Sequence, residues 1–304
     1  MLCRRAAASA ARFTARSMGS KASEAPKFDP VMVEAYNKMA ENHRHPDGPW
    51  IMMRDVVMQH RIPKEAVKDG FTILDLASGP AEPAKTIAAA LPHAKVIATD
   101  VSEDMVKAAQ AATKDTKNVS AAVADAQDLS AYADGSIDAV TCCYGYMFPT
   151  DKPQALRETF RVLRPGGLLV ATTWDSVDML KISRDVMTHV LGAAPPPPPL
   201  NPMSLSEEGL FASLVADAGF SNVRQTTSTY PFNFGRDKAF QERVGTLLLK
   251  EKLDEIGEEG WAKAKEAFWE NIDKYTEVLP NGDMVMPQNT FRLTAATKKG
   301  PLDA

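Results

Sequence analysis

Strand-like apolar runs alternate with helical patterns through the middle of this chain, and three of the runs have an aspartate at or just past their carboxyl end: Asp75, Asp100 and Asp125, 25 residues apart at each step. The β-like runs fall at 72–76, 95–99, 119–124, 137–143 and 168–174, with helical patterns at 83–91, 102–112 and 154–163. Strands that alternate with helices predict right-handed βαβ crossovers and a parallel sheet covered on both faces. In such sheets ligands bind at the carboxyl ends of the strands. Any one of these aspartates would more often be a helix cap or a turn residue, but capping does not account for three at successive strand ends. Local punctuation fits the same scheme. Pro83 suits a first helical turn, Ser102 and Asp151 suit N-caps, and Arg164, Pro165, Gly166 and Gly167 end the helix whose apolar stripe is Leu156, Phe160 and Leu163.

The flanks are less regular. A helix is expected at 206–218, a strand at 223–232, and then two long amphipathic helices, the second with Trp261, Phe268, Ile272 and Tyr275 on one face. Phe291, Leu293 and Ala295 alternate in a last strand at 290–297, expected as an antiparallel edge. Pro195 to Pro199 form a stiff spacer. The expected organisation is an N-terminal address over 1–21, a helical cap over 28–70, a ligand-binding core over 71–175, and a closing part over 176–304 that holds the proline run at 195–199 and a helical insertion at about 236–280.

Charge divides the chain. The net charge is −4, from 35 basic and 39 acidic residues, yet the first 21 residues hold Arg4, Arg5, Arg12, Arg16 and Lys21 and no acid. The rest carries 30 basic residues against 39 acidic ones, a net −9, which argues against nucleic acid as the main partner. The basic segment has six alanines, three serines and no long apolar run. It reads as an organellar transit peptide, mitochondrial rather than plastid; if it is only a disordered tail, the expectation is a cytoplasmic protein. No stretch is apolar enough to span a membrane. Cys3, Cys142 and Cys143 give neither a disulfide framework nor metal-ligand spacing, so no metal is expected.

The chemistry concentrates at the strand ends. Residues 77–81, Ala-Ser-Gly-Pro-Ala, make a small-residue loop through which a ligand can approach the backbone, although only Gly79 of the glycines usual in such loops is present. Asp75 before the loop repels a dinucleotide phosphate and attracts an ammonium group. Asp100 is placed to accept from the hydroxyls of a ribose, and Asp125 from an adenine amino group.

These pieces together, Leu74-Asp75-Leu76-Ala77-Ser78-Gly79-Pro80-Ala81, Asp100-Val101-Ser102-Glu103-Asp104-Met105, Asp125-Ala126-Gln127-Asp128-Leu129 and Leu163-Arg164-Pro165-Gly166-Gly167, resemble the class I S-adenosylmethionine-dependent methyltransferases, in the group of small-molecule enzymes that includes the quinone-biosynthesis C-methyltransferases. The resemblance covers about a third of the chain. It implies an α/β, Rossmann-like seven-stranded sheet, mostly parallel with an antiparallel last strand, and S-adenosyl-L-methionine as cofactor. By position it implies Asp75, Ala77 and Gly79 along the methionine part, Asp100 followed by Val101 at the ribose, Asp125 and the backbone of Ala126 at adenine, and the main chain around Cys143 near the methionine end. Ala77 and Ala81 replace two glycines of the usual pattern, and alanine is expected to keep both positions out of positive φ.

A sulfonium carries an activated methyl group, so the expected work of the protein is to align a small acceptor and exclude water. Acceptor-side candidates are Tyr36, His43, His45 and Trp50 before the first strand, Tyr144 and Tyr146 after the fourth, and Trp174 with Asp175 after the fifth. Each also has a plain structural reading: Tyr36 and Trp50 as packing residues, His43 and His45 as surface-loop histidines. His60, His93 and His189 have no supporting residues around them, and Cys142 and Cys143 read as strand packing. The leading expectation is methyl transfer to an S, N, O or C nucleophile, with a quinone precursor as one alternative. An NAD-dependent dehydrogenase and a non-catalytic cofactor-binding protein are alternatives from other classes.

Overall fold

The computed structural model describes residues 38–60, 70–195, 200–246 and 249–300. The transit-peptide segment, Tyr36 and most of the proline run lie outside the described residues. Of the expected cap, residues 38–60 are described; they hold a 3-10 turn at Glu41–Arg44 and helix α1 (Pro49–Gln59), which starts with proline where its missing N–H is not needed.

The core follows the alternation read from the sequence: β1 (Thr72–Leu76), α2 (Ala84–Ala90), β2 (Lys95–Asp100), α3 (Glu103–Thr113), β3 (Val119–Val123), β4 (Ile137–Cys143), α4 (Lys152–Val162) and β5 (Leu163–Val177). Both expected caps are made. The Ser102 hydroxyl accepts from the Met105 N–H at 3.4 Å and the Asp151 carboxylate from the Gln154 N–H at 2.8 Å. Strands β1 and β4 are almost wholly buried, as continuous apolar runs under helices on both faces require. Strand β5 begins directly at Leu163, so Arg164 to Gly167 lie inside the strand and are not a separate turn; the Gly166 N–H, at φ 82°, donates to Lys298.

After β5 come α5 (Asp178–Leu191), α6 (Leu210–Asp217), β6 (Ser221–Asn233), α7 (Lys238–Thr246), α8 (Lys250–Ile256), α9 (Glu258–Asn271), the short β7 (Glu277–Val278) and β8 (Met284–Thr297). Among the described residues the insertion thus has three α-helices where two were expected, because Gly257, at φ 87°, breaks the second pattern into α8 and α9. Phe268 and Ile272 of the expected face are buried; Trp261 and Tyr275 are half-buried and reach Asp254 and Asp185 through their polar atoms.

The strand order is β3-β2-β1-β4-β5-β8-β6, with β7 paired to β8. Strands β3 to β5 run parallel, and β8 is antiparallel to both β5 and β6. The last strand is therefore interior and longer than expected, and β6 forms the edge. Its interior place explains why Phe291 and Asn289 are fully buried. No described helix is long and apolar enough to cross a membrane.

Candidate active site

The carboxyl end of β1 leads into a strained loop. Ala77 and Ala81 sit at φ 51° and 73° and Gly79 at 54°, so the expectation that the alanines avoid positive φ is overturned. The loop keeps its left-handed turns and bears the steric cost that alanine brings there. What fixes this shape is a set of hydrogen bonds: the Ser78 N–H donates to the Thr99 carbonyl at 2.8 Å, and the Gly79 N–H to the Asp100 carboxylate at 3.0 Å. A Cβ built on Gly79 would meet nothing within 4 Å, so the crest of the loop faces open space.

Asp75 is fully buried beneath this loop. Its two oxygens accept from Ser78 Oγ and Thr141 Oγ1, each at 2.5 Å. Burial pushes its carboxyl up to about 7, against the pull of those two hydroxyls. In the structure Asp75 braces the loop against β4 and presents no exposed oxygen to a ligand.

Asp100 is different. At the end of β2 it is partly exposed, its Oδ2 held by Gly79 and its Oδ1 by the Ser102 N–H at 2.9 Å. Burial raises its pKa while the N–H groups of Ser102, Gly79 and Val101 lower it. Val101 beside it is 53% exposed, a large apolar surface at a strand end. Asp125 accepts from the Gln127 N–H at 2.9 Å, and half-buried Ala126 follows it. The loop residues 77–83 include no lysine or arginine to hold phosphate. A carboxylate with remaining lone pairs, an open loop crest and a neighbouring apolar side chain fit the adenosyl group of S-adenosylmethionine.

A second cluster gathers at the carboxyl ends of β4 and β5. The Tyr144 and Trp174 rings stack at 3.7 Å and 9°. His43, from the 3-10 turn, lies 5.3 to 5.9 Å from the rings of Trp50, Tyr144, Trp174, Tyr230 and Phe232. His43 Nδ1 is 2.6 Å from the Tyr230 hydroxyl, which is 3.2 Å from that of Tyr144. Burial lowers the His43 pKa to about 3, so the imidazole is neutral at physiological pH. Tyr144 has φ 56°, another strained residue. The two clusters touch through Gly145, where an added Cβ would lie 2.6 Å from the Ala77 Cβ.

The structure thus brings together His43, Trp50, Tyr144 and Trp174, with His45 at the rim, part-exposed and stacked 6.4 Å from Tyr230. His43 is buried and is not the surface-loop histidine of the plain reading. Tyr146 does not join them: its ring is buried against Phe211 and its hydroxyl meets Thr159 Oγ1 at 2.6 Å. Asp175 is tied up by Arg292. Cys143 lies beside Thr172 and Trp50, and burial pushes its thiol up, as suits packing. Sequence reasoning missed Tyr230, Phe232 and Phe291, whose strands come late in the chain; the alternation of Tyr230 with Phe232 was the available signal. No metal-binding group of His, Cys, Asp and Glu occurs among the described residues.

A family model described as a methyltransferase domain matches residues 73–167. A ubiquinone/menaquinone biosynthesis C-methyltransferase of Hahella chejuensis is 31% identical over 137 residues, 44% of this chain and 55% of its own length. The protein of the same description from Dinoroseobacter shibae is 27% identical over 192 residues, 56% of this chain and 77% of its own. The chain therefore spans about half the length of the first of these relatives. Among solved structures, a putative methyltransferase from Haloferax volcanii, in complex with the Trm112 methyltransferase activator, superposes with TM-score 0.51 at 18% identity, over 88% of this chain and 94% of that one. Phosphoethanolamine N-methyltransferase 2 of Haemonchus contortus, in complex with S-adenosyl-L-methionine, gives 0.50 at 16% identity, over 88% and 57%. Both share its fold.

Proposed function

We propose that the chain is a class I S-adenosylmethionine-dependent methyltransferase that transfers a methyl group to a small-molecule acceptor. The observation that carries this reading is the contact, through Gly145 and Ala77, between a loop with no lysine or arginine of its own, closed by Asp100, and a buried aromatic cluster. When bound, S-adenosylmethionine supplies a methyl group already activated on sulfur. Asp100 would accept from the ribose hydroxyls, Asp125 and the Ala126 backbone would hold adenine, and Val101 would cover an apolar ligand face. Asp75 positions the loop without touching the ligand. The aromatic wall excludes water and favours a cationic sulfonium nearby.

A C-methylation of a quinol-type ring is the finer reading. It is supported by the description of the bacterial relatives and by rings suited to stack on a planar acceptor. A dehydrogenase is disfavoured by a loop that has one glycine where the dinucleotide fingerprint has three. The test is a transfer assay with labelled S-adenosylmethionine against pooled thiols, thioethers, amines, hydroxy acids and quinols. Label in the quinol pool supports the finer reading, label in another pool refutes it, and no label in any pool favours a non-catalytic binding protein. Mitochondrial delivery is proposed from residues 1–21 and is checked by whether they carry a fused fluorescent protein into mitochondria.

A further inference from the structure

Asn289 of β8 is fully buried, yet its side-chain oxygen has no hydrogen-bond partner among the described residues. The orientation of this amide is fixed by its surroundings. Its Nδ2 donates to the Met286 carbonyl at 2.8 Å and faces the Tyr230 carbonyl at 3.4 Å, and since carbonyl oxygens only accept, nitrogen must occupy that side. Oδ1 therefore points away from both. Buried oxygens are almost always paired, so an orphan at this depth calls for a partner.

Its position says which partner. Asn289 stands opposite Tyr230 on β6 and Val177 on β5. Side chains directly opposite in antiparallel pairs share a face, as do residues two apart, so Asn289, Tyr230, Phe291 and Trp174 project from one side of the sheet. That side carries the aromatic cluster and is covered by α1. The hydroxyls of Tyr144 and Tyr230 with His43 Nδ1 make one polar line through the rings, and Asn289 adds a further polar side chain on the same side of the sheet.

We propose that Asn289 is a specificity residue of the acceptor site, its Oδ1 accepting from an O–H or N–H on a flat acceptor bound on the aromatic side of the sheet. The proposal rests on the methyltransferase reading and adds to it a requirement on the acceptor: a donor hydrogen beside a planar apolar body. A site built around a buried hydrogen-bonding group rejects analogues that leave the group unpaired.

The experiment uses the full chain saturated with S-adenosylhomocysteine and measures, by tryptophan fluorescence, the dissociation constants of 1-naphthol, 1-methoxynaphthalene and naphthalene. The expected result is that 1-naphthol binds about tenfold tighter than either analogue, and that Asn289→Ala brings the three within about twofold while leaving S-adenosylhomocysteine affinity unchanged. A preference for 1-naphthol that survives in Asn289→Ala overturns the proposal, and so does failure of every ring to bind to a protein that does bind S-adenosylhomocysteine. Failure to bind S-adenosylhomocysteine overturns the methyltransferase reading instead, and the proposal falls with it. If Asn289→Ala does not fold, a crystal structure of the wild-type ternary complex decides. The naphthol oxygen within about 3.2 Å of Oδ1 supports the assignment, and a water molecule in that place refutes it.

Discussion

Asp75 is charged only at a cost, and the cost depends on pH. Its folded-state pKa of about 7 lies above the unfolded value near 3.8, so the contribution of this carboxyl to stability is fully present below about pH 4 and is lost as pH rises through 7. Asp75→Asn keeps the shape without the charge. Its stability gain over wild type should grow between about pH 4 and 7 and then level, reaching at most about 4 kcal/mol, which denaturant titration across that range would read. A gain that shrinks with rising pH would contradict the burial argument. Ala77 offers a second residue-scale test, since it is exposed and held at φ 51°. Ala77→Gly should stabilise by about 0.5 to 1 kcal/mol, relief of the left-handed conformation outweighing the entropy that glycine adds to the unfolded chain; a lowered melting temperature would refute it. The three aspartates were legible because alternation locates strand ends. The burial of Asp75 was not, because its partner Thr141 arrives 66 residues later on another strand. The left-handed alanines were also hidden, since propensity alone argues against them.

Between elements, the point of contact that matters most is the exit of β4 against the loop after β1. A Cβ on Gly145 would lie 2.5 Å from Cys142 Sγ and 2.6 Å from the Ala77 Cβ. Gly145→Ala should therefore cost about 1 to 3 kcal/mol by overpacking and weaken S-adenosylhomocysteine binding by displacing the loop, as calorimetric titration would show; wild-type affinity would mean that the two clusters are not coupled. The βαβ core was legible at this scale because each strand and helix carries its own period. The end of the sheet was less so. Insertion of β8 between β5 and β6 buries Asn289 and Phe291 among residues far away in sequence, and polar Asn289 gave no local sign of its place.

For the whole molecule, the cap must stay closed over the sheet. Arg44 reaches the buried Glu82 carboxylate at 2.8 Å and Thr86 at 3.1 Å, Asn42 Oδ1 accepts from the Asn233 N–H at 2.7 Å, and His43 meets Tyr230. The segment before α1 is thus fastened both to the ligand loop's helix and to the edge strand. Arg44→Ala should loosen it by about 1 kcal/mol, the arginine being part-exposed, seen as about fivefold faster amide exchange across residues 41–59. Unchanged exchange would show that the other fastenings suffice.

Calorimetric titration of wild type and Asp100→Ala with S-adenosylmethionine and with NAD tests most directly whether the acid-ended loop holds S-adenosylmethionine. Asp100 is expected to hold both ribose hydroxyls, so the variant should bind S-adenosylmethionine more than about tenfold more weakly than wild type, and neither protein should bind NAD. An unchanged dissociation constant in Asp100→Ala, or binding of NAD without S-adenosylmethionine, would contradict the account.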